Sequence, residues 1–544
     1  MAEASSTTGD KSEKIFVRKS SGLVRGVSSR QALMANILSM GIMGPVLYVL
    51  YAVGTAPHGN IPLTVFVGLG IVLLIACVYW MLSASMPRTG GDYVWTSRIL
   101  HPLAGFVESS MLLFVMITSF VSYDIYLAVT NGFSYVFINY GFVSHDQSLI
   151  NFGVSLTNDH LRIVVVAILI SLMVMGVMFL PIKRVMNVMI AGFGVTVFTF
   201  LVYIGMLVAT GNSGFIHNFN AESGTTYQAV LNSASSAAWT YNASGTLFLG
   251  LTFIMLSYIG LVNSSYFAGE VSGNPFKSQG IAIIGAPLIY AVFLFTVYFT
   301  QFTTYGHSFL VASTGMYYAG SPNYPTFGLP SGVGFPAGVF LVNFLTNSPV
   351  LAALVAFGVA LQFIIWGMVF YLVPTRYIFS WSFDRILPIR LSNTTKKGVP
   401  YYAVLIYGVL TVAFVILAVY TSILSFYAYA IFGFYLSTTI VLIAGALFPF
   451  RRKDIFESSH KWVRAKIGKV PVITIVATVG AIFSVMTMIT TVLPSYTGFP
   501  INLSYFEPIV VMLVLAVVIY FASYYYNKSK GLPVELIGKE IPPL

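Results

Sequence analysis

The sequence MGIMGP at residues 40–45 interrupts an apolar segment that otherwise runs from residue 31 to residue 54. A second apolar segment, residues 245–270, is loosened in the same way around SYIG at residues 257–260. Backbone N–H and C=O groups cannot stay unpaired in hydrocarbon, so an unwound stretch at membrane depth persists only where protein, water or a ligand satisfies it. Because the interruptions occupy corresponding places in two five-segment halves, they indicate a binding site between the halves.

The composition assigns the chain to the membrane proteins. Of its 544 residues, 57% are hydrophobic and 8% are charged, whereas about a quarter of the residues in soluble domains are charged. Twelve apolar stretches reach the length of about 20 residues that a helix needs to cross the bilayer. We predict an all-α integral membrane protein with about 12 transmembrane helices, called spans one to twelve. They are predicted at residues 31–54, 62–85, 105–131, 161–180, 184–210, 247–271, 280–304, 348–374, 401–420, 425–449, 471–493 and 507–526.

The distribution of the 27 Lys and Arg residues orients the spans. With the N-terminus in the cytoplasm, all of them except Arg162 fall in cytoplasmic segments, as the positive-inside rule requires. We therefore predict a multi-pass protein of the cell (plasma) membrane with both termini cytoplasmic. The first 30 residues are polar and basic and lack the apolar core of a signal peptide. The net charge of +11 fits basic loops that face the anionic lipid bilayer, so we expect no nucleic-acid partner.

The chain divides into two five-span repeats and flanking segments. The predicted segments are a cytoplasmic tail (1–30), the first repeat (31–210), an extracellular loop (211–246), the second repeat (247–449) with its extracellular loop (305–347), a basic cytoplasmic loop (450–470), spans eleven and twelve (471–526) and a cytoplasmic tail (527–544). The two long outside loops either cap an outer vestibule or are ordinary surface loops. Spans eleven and twelve lie outside the repeats, so we expect them at the periphery or at an oligomer contact.

Three motifs resemble signatures of the amino acid-polyamine-organocation (APC) superfamily. Glu270 and the following VSGNPFK at residues 271–277 are similar to its Glu-x-x-x-Asn-Pro-x-Lys/Arg stretch. PRTGGDYVW at residues 87–95 resembles its Pro-x-x-Gly-Gly-x-Tyr signature between spans two and three. TRYIFS at residues 375–380, continuing through FDRILP at 383–388, resembles its Arg-rich segment after span eight. The motifs stand in order at the expected loops, so the resemblance covers most of the chain.

This resemblance implies a LeuT-like 5+5 inverted repeat plus two peripheral helices, with substrate held between spans one, three, six and eight. Broken helices expose a positive N-terminal and a negative C-terminal end, each equivalent to roughly half a charge, which suits a zwitterion. An alternative is that the glycines only allow helices to pack closely. The expected substrate-binding residues are Ser39, Gly41, Met43, Gly44 and Pro45 on span one, Ser257, Tyr258, Gly260 and Asn263 on span six, and Phe363 and Trp366 on span eight.

Carboxylates within the membrane are costly and therefore indicate functional sites. Asp124 on span three is predicted to hold a substrate amine or to exchange a proton; the alternative is a structural hydrogen bond near the outer surface. Glu108 lies about 24 Å away along the same helix, and we expect it near the cytoplasmic edge, paired with a basic loop residue. Glu270 is expected to form an ion pair with Arg88, Lys277 or Arg376. The predicted cytoplasmic gate comprises Arg88, Asp92, Glu270, Lys277 and Arg376.

The sequence says less about the coupling ion and the substrate. Sodium-coupled relatives use hydroxyls on span eight, but residues 351–366 contain no Ser or Thr. Some proton-coupled relatives place a Lys on span five, which residues 185–210 lack. We favour proton coupling or exchange over sodium coupling, with facilitated uniport left open. The apolar and aromatic lining expected for the site favours amino acids that are neutral or aromatic, with another small amine or nitrogen compound as the alternative.

Other protein classes fit the sequence less well. An intramembrane aspartyl protease needs a second aspartate at the depth of Asp124, and Asp92 falls in a loop. Neither a His-Glu-x-x-His zinc motif nor a phosphate-binding loop occurs, and the single cysteine, Cys77, excludes a Cys-cluster metal site. We therefore predict a permease rather than an enzyme, with no cofactor or metal. A non-transporting sensor on the same fold is the remaining rival, and the oligomeric state is open.

Overall fold

The computed structural model of the chain describes residues 22–233, 240–319, 336–421, 427–493, 501, 506–534 and 537–538. It is 81% helical. Among the described residues, ten helices are long and apolar enough to cross a membrane, and a pair bent by 42° forms an eleventh span. The chain is therefore an all-α multi-pass membrane protein, as predicted. Most of the predicted N-terminal tail, residues 1–21, lies outside the described residues.

Each predicted span corresponds to a helix. The spans are Ser29–Met40 with Gly44–Thr55 (one), Ile61–Ser85 (two), Pro102–Ser144 (three), His160–Met178 (four), Ile182–Glu222 (five), Gly245–Ser257 (six), Pro275–Tyr318 (seven), Pro349–Phe383 (eight), Tyr401–Tyr420 (nine), Tyr427–Arg451 (ten), Val472–Thr490 (eleven) and Glu507–Ser529 (twelve). The connections contain the helices Gly91–Ile99, Gln147–Asn158, Tyr227–Asn232 and Lys453–Ser458, the 3-10 segments Gly338–Phe344 and Ile389–Ser392, and a hairpin of strands Lys466–Ile467 and Val470–Pro471. We call Gly91–Ile99 the loop helix.

Span one is broken at the residues that predicted the break. Its first helix ends at Gly41, whose φ of 76° lies in the region that favours glycine, and Pro45 opens the second helix. Side chains from neighbouring spans satisfy carbonyls at the break. Gln362 donates to the Leu38 carbonyl at 3.3 Å, and Tyr290 donates to the Gly41 carbonyl at 3.3 Å. Two carbonyls next to the break are thus paired by protein, as a hydrocarbon environment demands.

Span six departs from the prediction of one loosened helix over residues 247–271. Its helix ends at Ser257, Gly260 has a φ of 95°, and only the 3-10 segments Asn263–Tyr266 and Ala268–Glu270 follow. Asn and Ser side chains compete with helical hydrogen bonds by bonding elsewhere. Here the Asn263 amide donates to the Ser39 hydroxyl of span one at 2.8 Å. The inner half of span six is therefore not an α-helix.

Several spans are longer than the apolar pattern indicated. Spans five and seven continue as Ile182–Glu222 and Pro275–Tyr318, so both predicted outside loops begin as helix. Uncharged Ser, Thr, Asn and Tyr lower the hydropathy there without stopping the helix. A kink at Gly211, with φ of 58°, and a π-helical segment at Phe302–Gly306 redirect the two extensions. Residues 234–239 and 320–335 of these loops lie outside the described residues.

The degree of burial separates central from outer helices. In span three, 83% of the most apolar 18-residue window is buried inside the protein, the largest value among the described spans. The corresponding value for span twelve is 17%, the smallest among them, and span eleven has 28%. Span twelve packs on the first part of span three, and span eleven packs on spans two and ten. Span three is therefore positioned to line an internal site.

Candidate functional site

A cavity of about 100 Å³ lies where the two interrupted spans meet spans three, seven and eight. Its wall is mostly aromatic and apolar, with a few polar groups and glycines. The lining residues are Ser39, Met40, Gly41, Gly44, Pro45, Tyr48 and Tyr51 of span one, Phe120 and Asp124 of span three, Phe253, Leu256, Ser257 and Ile259 of span six, Tyr290 and Tyr298 of span seven, and Trp366 and Phe370 of span eight.

The structure brings six of the eleven sequence-predicted substrate residues to this cavity. They are Ser39, Gly41, Gly44, Pro45, Ser257 and Trp366. Sequence reasoning missed Tyr51, Phe120, Phe253, Tyr290 and Tyr298, among others. An aromatic residue in an apolar helix carries no sequence signal that distinguishes a cavity-facing position from one facing lipid or core.

The other five predicted residues lie behind the wall. Asn263 bonds to the hydroxyl of Ser39, and Gly260 packs against the same serine. Tyr258 donates to the Val65 carbonyl at 3.2 Å, which draws its hydroxyl toward span two. These three residues do not line the cavity and instead support residues that do, and their direct contact with the substrate stays a prediction.

Met43 and Phe363 also support the wall. The Met43 sulfur accepts a hydrogen bond from Thr199 at 3.8 Å on the side of span five. The Phe363 ring packs edge-on against Tyr48 and Trp366, with centroids 6.5 and 5.3 Å away. Phe363 therefore positions the rings of Tyr48 and Trp366, which do line the cavity.

Both glycines at the break of span one lie under the Trp366 indole. A Cβ at Gly41 would overlap the indole, and a Cβ at Gly44 would approach its ring carbon Cη2 to 2.9 Å. Real Cβ atoms essentially never come so close. The glycines therefore permit close packing of span eight on span one, as well as permitting the break.

The cavity contains polar atoms that the protein leaves unpaired. The Asp124 Oδ2 atom and the Trp366 indole N–H are buried, and neither has a hydrogen-bond partner within the described part of the chain. No Lys or Arg stands among the described residues that line the cavity. The site therefore offers one anionic acceptor and one neutral donor, set in an aromatic wall.

Two buried ion pairs lie on the predicted cytoplasmic side of the cavity. Arg376 donates to both carboxylate oxygens of Glu270 at 3.0 Å each. Arg98 of the loop helix donates to both oxygens of Asp384 at 2.6 and 2.8 Å. The Gly90 N–H also donates to the Tyr266 carbonyl at 2.8 Å. These contacts join the loop helix, the inner part of span six and span eight into a closed layer.

Of the three partners predicted for Glu270, the structure joins it to Arg376. Lys277 is exposed, and Arg88 donates to the adjacent Pro87 carbonyl at 3.3 Å. Arg376 lies on span eight itself, because the helix continues to Phe383. Sequence reasoning missed the pair of Arg98 and Asp384, although the FDRILP motif contained the acidic partner.

The prediction that Glu108 pairs with a basic loop residue is wrong. Its side chain is fully buried and accepts hydrogen bonds from the Ser437 and Thr96 hydroxyls. The loop helix folds back over the start of span three and covers it. Asp92, which the sequence assigned to the gate, is equally buried and accepts a hydrogen bond from Tyr377, the neighbour of Arg376.

These features define a multi-pass membrane protein with a small-molecule cavity between interrupted helices. A family model described as "Amino acid permease" matches residues 32–519. The chain belongs to this family of amino acid permeases, within the APC superfamily. A search of curated proteins found no match to the chain.

Proposed function

We propose that the protein is a secondary transporter that carries neutral or aromatic amino acids across the plasma membrane by alternating access. One observation carries the proposal. The cavity lies at the breaks of both interrupted spans, and its aromatic wall includes Asp124, whose Oδ2 atom has no partner in the described part of the chain. Membership of the amino acid permease family supports transport rather than catalysis. The LeuT-like 5+5 repeat and cytoplasmic termini are part of the same proposal.

The breaks suit the two charges of an amino acid. The helix Gly44–Thr55 has no side chain that caps its N-terminus, and the positive end of its dipole at the break suits a substrate carboxylate. Pro45 has no N–H, and the Val46 N–H donates to the Met43 carbonyl at 3.2 Å, so the dipole rather than these two groups would act on the substrate. The Asp124 carboxylate is suited to the substrate ammonium group. Tyr48, Tyr51 and Phe253 supply an apolar surface for the substrate side chain.

A second substrate class has one observation in its favour. Asp124 is the only acidic residue among the described residues of the cavity wall, and it has no cationic partner there. An amine without a carboxylate would satisfy it equally well. A permease for a small amine or other nitrogen compound is therefore the alternative to an amino acid permease.

Uptake by the reconstituted protein tests the proposal. Proteoliposomes would be given labelled amino acids and amines under imposed proton gradients, sodium gradients, or an excess of unlabelled substrate inside. We expect saturable uptake of at least one neutral or aromatic amino acid, stimulated by protons or by counter-substrate and not by sodium. Binding without flux in every arm would indicate a sensor. If the protein shows neither binding nor flux in any arm, the proposal is overturned.

A further inference from the structure

A pair of carboxyl groups lies next to the gate and takes no part in either ion pair. Asp92 of the loop helix and Glu108 of span three are both 0% exposed. Thr96, one turn after Asp92 on the loop helix, donates to the Asp92 carbonyl at 2.7 Å and contacts Glu108 Oε2 at 3.4 Å, so both carboxyls belong to one buried cluster. The Asp92 Oδ2 atom has no donor among the described protein groups. Two ionised carboxylates in one buried cluster repel each other, and a proton on one of them relieves that repulsion.

The remaining oxygens are held by neutral donors. The Tyr377 hydroxyl and the Tyr93 N–H donate to Asp92 Oδ1 at 2.5 and 2.8 Å. The Ser437 hydroxyl donates to Glu108 Oε1 at 2.5 Å. The Thr96 hydroxyl donates to Glu108 Oε2 at 3.4 Å, so Asp92 Oδ2 is the one oxygen of the four without a hydrogen-bond partner among the described residues.

The groups around the pair are tyrosines rather than cations. Tyr79 of span two, Tyr266 of span six and Tyr377 of span eight face the pair, and span ten contributes the Ser437 and Thr438 hydroxyls. On the loop helix, the Tyr93 hydroxyl and Arg98 are bound to Asp384. Arg376 is bound to Glu270. Among the described residues, no Lys, Arg or His donates to either carboxyl of the pair.

This environment favours a bound proton. Two buried negative charges without a counter-ion are unfavourable, and a carboxyl pair responds by retaining one proton. Burial raises the pKa of Asp92, and the neighbouring hydrogen-bond donors, of which Tyr377 has the largest effect, oppose that rise only in part. The proton therefore stabilises the closed arrangement, and the stabilisation is lost as pH rises through the titration range of the pair.

The pair also contacts the elements that close the cytoplasmic side. Tyr377 follows Arg376 of the gate in span eight, and Gly90, which bonds to Tyr266 of span six, lies two residues before Asp92. Separation of span six from span eight would bring water to both carboxyls. The pKa of Asp92 would fall toward its ordinary value, and the proton would leave for the cytoplasm.

We propose that Asp92 and Glu108 form a proton-binding site that stabilises the closed cytoplasmic gate and loses its proton when the gate opens. The inference rests on the proposed transport function, because it assigns the gate to an alternating-access cycle. The only covalent change is the transfer of one proton between the carboxyl pair and water. The opening of the gate should therefore become more favourable as the cytoplasmic pH rises.

A cysteine introduced at a buried position of the gate would report the opening of the gate without any need for transport. Ser380 is 5% exposed, and its hydroxyl donates to the Thr89 carbonyl at 2.9 Å in the closed layer. Ser380→Cys would be introduced into a Cys77→Ala background, which removes the single native cysteine. The rate of labelling by a maleimide would be measured between about pH 5.5 and 8.5. Asp92→Asn and Glu108→Gln variants carry the same thiol and correct for the thiol's own titration.

We expect the ratio of the wild-type labelling rate to the Asp92→Asn labelling rate to rise with pH. A rise of about tenfold means that the closed gate binds the proton about ten times more tightly than the open gate does. Asp92→Asn and Glu108→Gln mimic the protonated pair, so labelling should stay slow at high pH. Glu270→Gln is the matched control because it weakens the gate and leaves the pair intact. It should label faster and keep the pH dependence. A pH-independent ratio, or fast labelling of both pair variants, would overturn the inference.

A spectroscopic measurement covers variants that are too unstable to label. The infrared difference spectrum between acid and alkaline pH should contain a protonated-carboxyl band that either pair variant removes and Asp124→Asn retains. A wild-type spectrum without a band that depends on the pair would contradict the inference. Failure of all substrate uptake, with the thiol result intact, would instead reject only the proposed transport function.

Discussion

At the scale of single residues, Asp124 is the group on which the proposed substrate depends most. Asp124 lines the cavity, and its buried Oδ2 atom has no hydrogen-bond partner among the described residues, whereas the other intramembrane carboxyl of span three, Glu108, is bonded to hydroxyls. An unpaired buried acceptor is costly, so a ligand donor at this position contributes binding energy. The indole N–H of Trp366 is the complementary donor.

Asp124→Asn should weaken the binding of an amine-bearing substrate by about tenfold to a hundredfold, because a hydrogen bond to a charged group contributes about 1.5–3 kcal/mol. Isothermal titration with the purified protein measures the change. Asp159→Asn, which alters an exposed carboxylate paired with Arg162, is the control and should bind normally. Unchanged affinity and an unchanged pH profile of Asp124→Asn would remove this carboxylate from the mechanism.

At the scale of elements, the break in span one determines the shape of the site. The two helices are bent by 42°, and the Trp366 indole covers the glycines at the break. The loop helix is the second decisive element, because it covers the start of span three and supplies Arg98 to Asp384.

Gly44→Leu should abolish substrate binding while the protein still inserts and folds, because a Cβ there already reaches the Trp366 ring. Gly205→Leu is the matched control, since a Cβ at Gly205 meets nothing within 4 Å. Ligand-induced thermal stabilisation would compare the two variants in the same detergent. Retained binding by Gly44→Leu would locate the substrate elsewhere.

At the scale of the whole molecule, buried ion pairs connect segments that are far apart in the chain. The pair of Arg98 and Asp384 links the loop helix to the end of span eight, with side chains 1% and 9% exposed. Removal of one partner from a buried pair costs about 3–5 kcal/mol, because the other charge is left uncompensated.

Arg98→Met alone should therefore destabilise the protein more than Arg98→Met combined with Asp384→Leu does. Thermal unfolding of the two single variants, the double variant and the wild type in one detergent completes the cycle. Additive losses of stability would contradict a direct coupling between these side chains.

The features that sequence alone determined are those set by local chemistry. About 20 apolar residues are needed to cross a bilayer, so the spans could be predicted from the sequence. The residues MGIMGP predicted the break in span one. The family motifs could be recognised because each is a short contiguous stretch of sequence. Helix ends were predicted less well, because neutral polar residues let spans five and seven continue beyond the apolar stretch.

Only the tertiary structure decided which groups meet. Glu270 and Arg376 are 106 positions apart, Asp92 and Tyr377 are 285 apart, and Glu108 and Ser437 are 329 apart. Neither hydropathy nor a motif encodes such pairings, because they depend on how helices rotate and pack against one another. The same packing selected the aromatic rings that line the cavity and buried a carboxyl pair to which no cation among the described residues donates a hydrogen bond.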